Sequence, residues 1–181
     1  MTNPKQNSYL VISAMGADRP GIVDELSGQI LECGCNIEDS RMSVLGREFA
    51  LILLISGRWD AIAKLETALE PLGKRLDLTV NHRRTDSREQ TGNVLPYAVD
   101  VSAMDQPGIV HHISKFLSQR DINIEDMSTA RYAAAHTGTP MFAVHITIGI
   151  PGSMQIAALR DDFLDFCDRL NIDAVMEPIK N

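Results

Sequence analysis

Two stretches of this chain repeat a set of residues suited to holding a small charged molecule: Asp18-Arg19-Pro20-Gly21-Ile22-Val23 and Asp105-Gln106-Pro107-Gly108-Ile109-Val110. At the same distance beyond each lies an asparagine, in Asn36-Ile37-Glu38-Asp39 and in Asn123-Ile124-Glu125-Asp126. Asp-x-Pro-Gly between an apolar run and a helix-periodic run marks a strand–helix loop. There an aspartate can accept bonds from the free N–H groups that open the helix, and proline suits the first helical turn. Gly21 and Gly108 remove a side chain where a ligand or a neighbouring backbone can come close. The helix N–H groups and the positive end of its dipole favour a carboxylate. Asn36 and Asn123 add an amide oxygen for an ammonium group and an amide N–H₂ for a carboxylate. Asp18 or Asp105 can pair with that same ammonium. Taken together, these groups suit a free amino acid.

A purely structural reading explains the same loop: aspartate as helix cap, proline in the first turn, glycine for close packing, and asparagine as a turn residue. Other reactive side chains are scattered. His111-His112 follows the second loop where the first copy has Asp24-Glu25. The pair can add donors to a bound carboxylate or respond to pH, or it can be a solvated stretch of helix. His82, His136 and His145 have no metal-ligand spacing. Cys33, Cys35 and Cys167 are an odd three that cannot all pair internally, and Cys33-Gly34-Cys35 lacks the further ligands of a metal site. No nucleophile elbow, phosphate-binding loop, dinucleotide fingerprint or zinc-protease motif is present, so the chain is not expected to be an enzyme or to carry a metal or cofactor.

The elements that must position these loops also come twice. Between Asp18–Asp39 and Asp105–Asp126, 10 of 22 positions are identical, and Phe49-Ala50-Leu51 matches Phe142-Ala143-Val144 after a shift of six residues. Each copy reads as a strand (Leu10–Met15; Tyr97–Ala103), then a helix with apolar positions at Ile22, Val23, Leu26, Ile30 and Cys33, or at Ile109, Val110, Ile113 and Leu117. Gly34 and Asp121 sit where those helices should stop. Strands follow near Glu38–Leu45 and Glu125–Tyr132. The continuous apolar runs Phe49–Ile55 and Met141–Ile150 suit strands in the middle of a sheet. Ile62, Leu65, Leu69 and Leu72 mark a second helix, as do Ile156, Leu159, Phe163, Phe166 and Leu170, and short strands close each copy near Leu76–Val80 and Ile172–Met176. The order βαββαβ, twice, predicts an α+β fold of two ferredoxin-like units, with both helices on one face of an antiparallel sheet. The domains are expected at residues 9–82 and 96–178, joined by a polar linker over 83–95 whose Arg83, Arg84 and Arg88 make it locally basic. The second copy carries a longer hairpin, Ala130–Pro140, a possible partner surface.

Lys and Arg total 17 and Asp and Glu 24 in 181 residues, for a formal net charge of −7. That balance argues against a chain that binds DNA by itself, since affinity for phosphates needs clustered cations. Apolar residues at 44% and charged residues at 23% are those of a globular chain with a core. No apolar run reaches ~18 residues, so no membrane span is expected. Met1–Ser8 is polar and unlike a signal peptide, which makes the cytoplasm the expected location.

Asp-Arg-Pro-Gly-Ile-Val followed by Asn-Ile-Glu-Asp, in a βαββαβ frame, resembles the ACT domain, a regulatory module that binds amino acids. The resemblance covers both repeats and is similar throughout to free-standing tandem ACT regulators. It implies ligand contacts at Asp18, Gly21, Ile22 and Asn36 in one copy and at Asp105, Gly108, Ile109 and Asn123 in the other, where a loop meets a neighbouring domain. Serine-binding members often carry a histidine two residues before the aspartate; here those places are Gly16 and Ala103. The resemblance further implies an amino-acid effector, glycine or a close relative, and a homo-oligomer. Its protein partner would be a helix-turn-helix transcription activator of glycine cleavage genes, restrained when glycine is scarce. An amino-acid-sensing subunit of a metabolic enzyme, or a dimerisation module with vestigial sites, are the alternatives.

Overall fold

The computed structural model describes residues 7–86 and 93–179. The chain divides into two units, with the boundary between Glu89 and Gln90. In the first, β1 (Ser8–Ala17), α1 (Ile22–Glu32), β2 (Asn36–Leu45), β3 (Glu48–Gly57), α2 (Trp59–Leu76) and β4 (Leu78–Thr85) follow in the order the apolar pattern predicts. The second repeats it with β5 (Val94–Met104), α3 (Ile109–Ser118), β6 (Asn123–Ala133), β7 (Pro140–Pro151), α4 (Ile156–Arg169) and β8 (Asp173–Pro178). Each sheet is antiparallel, ordered β2-β3-β1-β4 and β6-β7-β5-β8, so the two continuous apolar runs do form inner strands.

Alternation along each inner strand decides which face is covered. Leu10, Ile12 and Ala14 are buried while Ser13 between them and Met15 just after them are exposed, and Leu51, Leu53 and Ile55 face the same way. Onto that face α1 sets Ile22, Leu26 and Ile30, four residues apart and on one stripe, and α2 sets Ile62, Leu65, Leu69, Leu72 and Leu76. Val99, Val101, Val144, Ile146 and Ile148 take the equivalent part in the second unit, against Ile113, Leu117, Leu159, Phe163 and Cys167. The stripe on α2 holds it helical through Pro71, whose ring removes one backbone bond from its exposed side.

Gly34 (φ 77°) and Asp121 (φ 54°) take the left-handed conformation just beyond α1 and α3, as the sequence predicts for helix stops. The linker departs from expectation. β4 runs on to Thr85 and β5 begins at Val94, so Arg83 and Arg84 at one end and Val94 and Leu95 at the other are strand residues. Polar composition hid Arg83 and Arg84, because the outer strand β4 presents polar side chains to water, while Val94 and Leu95 extend the inner strand β5 only a few residues beyond its apolar pattern. Arg88 lies outside the described residues. Among the described residues no helix is long and apolar enough to cross a membrane.

Candidate functional site

The strand–helix loops differ from a capped helix start. Gly21 (φ 94°) and Gly108 (φ 97°) are the N-cap residues of α1 and α3, and neither helix receives a side-chain cap. Asp18 and Asp105 therefore do not cap, which corrects that expectation. A left-handed glycine turns the chain into the helix instead and leaves the first-turn N–H groups without side-chain acceptors. Each aspartate is tied by its backbone: Asp18 N–H donates to the Arg47 carbonyl and Asp105 N–H to the Pro140 carbonyl, both at 3.0 Å. These bonds dock the loop on the tip of the β2–β3 or β6–β7 hairpin. Ile22 and Ile109 point their side chains into the core, at 1% and 2% exposure, so only their backbone N–H groups can meet a ligand.

The side chains around the loops are not the same. Arg19 bonds the Leu76 carbonyl at 3.4 Å and pairs with Glu25 at 4.0 Å, and Arg75 meets the same glutamate at 3.5 Å. Among the described residues no cation pairs with Asp18, which is exposed. Asp105 pairs with Arg131 of β6. His112 folds back so that its Nε2 lies 3.3 Å from where a methyl on Gly108 would sit. Gly16 has a packing reason of its own: a methyl there would come 2.7 Å from the Asp77 carbonyl and from Leu78. Ala103 is buried at 3%. Neither position has room for a histidine.

Asn36 and Asn123 stand elsewhere. Asn36 pairs with Ser56 across β3 and Asn123 with Gly149 across β7, whereas β1 and β5 reach their loops beside Glu48 and Met141. Eight residues of inner strand, roughly 26 Å at ~3.3 Å each, separate the two levels. The structure thus corrects the idea that aspartate and asparagine of one unit grip one ligand. α1 and α3 carry the chain from one end of the sheet to the other, and the asparagine begins the return strand.

At that far end a group the sequence reading missed comes into view. Both β2 and β6 carry a bulge, between Ile37 and Asp39 and between Ile124 and Asp126, and the extra residue is a glutamate each time. Glu38 Oε1 accepts from the Ser56 hydroxyl at 2.5 Å and from the Asn36 amide at 3.3 Å. Ser56 is 3% exposed and is the one buried polar residue among those described. In the second unit the Glu125 carboxylate lies over Gly149, where a methyl would be 3.1 Å from its Oε1. Its signal in the sequence is the glutamate common to the two identical Asn-Ile-Glu-Asp runs.

The remaining chemistry-bearing residues are absorbed by packing. Arg84 forms a two-pronged bond to Glu66, at 2.9 and 2.7 Å, and lies 5.6 Å over the Trp59 ring; it holds the Glu66 carboxyl below its usual range. The three cysteines are free and buried. Burial raises the Cys35 thiol, with Cys33 adding and Lys64 opposing, and burial beside Asp168 pushes Cys167 up to about 12. His145 bonds Asp100 at 2.6 Å on the face of the second sheet that the helices leave open. Among the described residues no cluster of three or more His, Cys, Asp or Glu side chains could hold a metal ion.

Two four-stranded sheets, each with two helices on one face and a glycine-capped helix after its first strand, define a tandem of two α+β, ferredoxin-like units. The chain belongs to the ACT domain family, whose pattern matches residues 8–82. It is 36% identical over 163 residues to the glycine cleavage system transcriptional repressor of Escherichia coli K12, covering 90% of this chain and 86% of that protein. A UPF0237 protein of Methanopyrus kandleri is 38% identical over 76 residues, 40% of this chain and 84% of its own length. Among solved structures, one described as a candidate glycine cleavage system transcriptional repressor superposes with a TM-score of 0.71 at 31% identity, covering 97% of this chain and 99% of that one. An uncharacterised protein of Galdieria sulphuraria shares the fold, with a TM-score of 0.77 at 24% identity over 97% and 100% of the two chains. A regulatory role follows from this kinship.

Proposed function

We propose that this chain is an amino-acid-responsive repressor of glycine cleavage gene transcription that works by contact with a helix-turn-helix activator. The observation that carries the reading is the 36% identity to the Escherichia coli repressor across 90% of the chain. The net charge of −7 supports action through a protein rather than on DNA. The effector, glycine or a close relative, meets the strand–helix loop, whose first-turn N–H groups take its carboxylate and whose aspartate takes its ammonium. Asn36 and Asn123, eight strand residues away at the other end of their sheets, do not reach the effector held at the loop of their own unit.

Effector binding controls repression only by the difference in its affinity for two states of the protein, typically ~1–3 kcal/mol. The test is capture of the activator on immobilised full-length chain, with glycine from zero to tens of millimolar. Retention of the activator without glycine and its release with glycine support the reading. Capture of a biosynthetic enzyme in place of a transcription factor, with no effect of the chain on a glycine cleavage reporter, defeats it.

A further inference from the structure

The two repeats carry the same loop sequence but leave their aspartates in different states, and the hairpin strand decides which. In the first unit Val44 of β2 pairs with Phe49; in the second, Arg131 of β6 pairs with Phe142, the equivalent phenylalanine. Val44 and Arg131 therefore hold the same place in the fold, each opposite the phenylalanine two residues beyond the carbonyl that docks the loop. Arg131 reaches Asp105 and forms an ion pair with it, leaving that carboxylate side chain 22% exposed. Valine has nothing to offer Asp18. Arg19 and Arg75 on that side are committed to Glu25 and to the Leu76 carbonyl, and Arg47, whose carbonyl accepts from the Asp18 N–H, forms no ion pair with the Asp18 carboxylate. The second unit has no such arrangement, because Gln106 replaces Arg19 and His112 replaces Glu25.

We infer that the two effector loops are unequal: Asp18 is the ammonium acceptor of this protein, and Arg131 withholds Asp105 from that task. The inference rests on the effector reading above and adds to it which repeat responds and what silences the other. An ammonium that approaches Asp105 must displace a guanidinium tethered beside it by the fold. The guanidinium also fits a carboxylate better than an ammonium does, through two parallel donors. At Asp18 no guanidinium is paired with the carboxylate among the described residues, so none has to be displaced. Loss of the second loop's acceptor leaves Arg131, His111 and His112 beside the opening of α3, a setting that accepts an anion but not a zwitterion's cation.

Calorimetry on the full chain with glycine, then L-alanine and L-serine, tests this on the wild type and four variants. Wild type should bind one of these with one site per chain. Asp18→Asn should weaken that binding by about 10- to 100-fold, the share a charge-assisted bond carries, while Asp105→Asn stays within about 2-fold of wild type. Arg131→Ala should raise the stoichiometry towards two sites per chain. Circular dichroism melts of each variant separate lost binding from lost folding, and Val44→Arg supplies an independent route by transplanting the block to the first loop. Equal losses from Asp18→Asn and Asp105→Asn, or a stoichiometry unmoved by Arg131→Ala, overturn the inequality while leaving the effector reading intact. Failure of the wild type to bind any of the three amino acids at tens of millimolar overturns both.

Discussion

The Glu38 bridge at the β2 bulge allows a sharp test of why Asn-Ile-Glu-Asp recurs. Ser56→Ala removes a hydroxyl that is 3% exposed and donates to a carboxylate at 2.5 Å, and it opens no cavity because the methyl keeps the Cβ. A hydrogen bond to a charged group contributes ~1.5–3 kcal/mol. Glu38 lies on an exposed strand and regains water when the bond is lost, which places the expected cost near the lower end, at about 1.5 kcal/mol. For a slope of ~1.5 kcal/mol/M in urea that is a midpoint shift of roughly 1 M. The assay is urea unfolding followed by Trp59 fluorescence, since the chain has one tryptophan and it stands in the first unit. A cycle with Glu38→Ala isolates the pair: a coupling of about 1 kcal/mol is expected. Additivity of the two single changes within ~0.3 kcal/mol would refute the bridge, and with it the structural account of the motif.

Three further outcomes are expected. Arg84→Ala should lower the urea midpoint at neutral pH and lose its effect in acid. The bond from Arg84 holds the folded Glu66 carboxyl below the usual carboxylate range, so the stability it adds is present above that range and disappears as pH falls through the lowered pKa; midpoints measured from pH 7 to 3 that stay a constant distance apart would contradict this. Cys167, fully buried with its thiol pushed up to about 12, should resist iodoacetamide at pH 8 until urea unfolds the chain, as peptide mass spectrometry would show. Gly16→Ala should cost about 1–3 kcal/mol, because its methyl would stand 2.7 Å from the Asp77 carbonyl; a thermal melt matching wild type would show that β1 and the α2–β4 turn can part there.

Local rules made most of the fold legible. Alternation at Leu10, Ile12 and Ala14, the four-residue spacing of Ile22, Leu26 and Ile30, and the stop at Gly34 each depend on a few neighbours in the chain. The places where reading failed depend on pairing across the sheet. Arg83 and Arg84 are polar because β4 presents them to water and to Glu66, and composition cannot tell that from a linker. Asp18 looks like a helix cap until the φ of 94° at Gly21 is known. The candidate site suffered most. Asp18 and Asn36 stand close in the motif, but an 11-residue helix between them delivers them to opposite ends of the sheet. The Arg131–Asp105 pair is invisible to periodicity, because it joins a loop to a strand only through the register of β6 on β7.

The bulge in β2 also has a bearing on how this chain can change in length. Elsewhere in a strand, losing one residue turns every following side chain to the opposite face, which would put the apolar half of the pattern into water. Loss of Glu38 alone would leave Ile37 opposite Ile55 and Asp39 opposite Leu54, an unbroken ladder. The same holds for Glu125, between Ile124 opposite Ile148 and Asp126 opposite Thr147. These are the two points in β2 and β6 where a codon could be dropped without disturbing the register. Both copies carry a glutamate at that place, among the 10 of 22 positions that are identical between them. A residue that the ladder can spare, retained twice, is held by what its carboxylate does at the start of the strand.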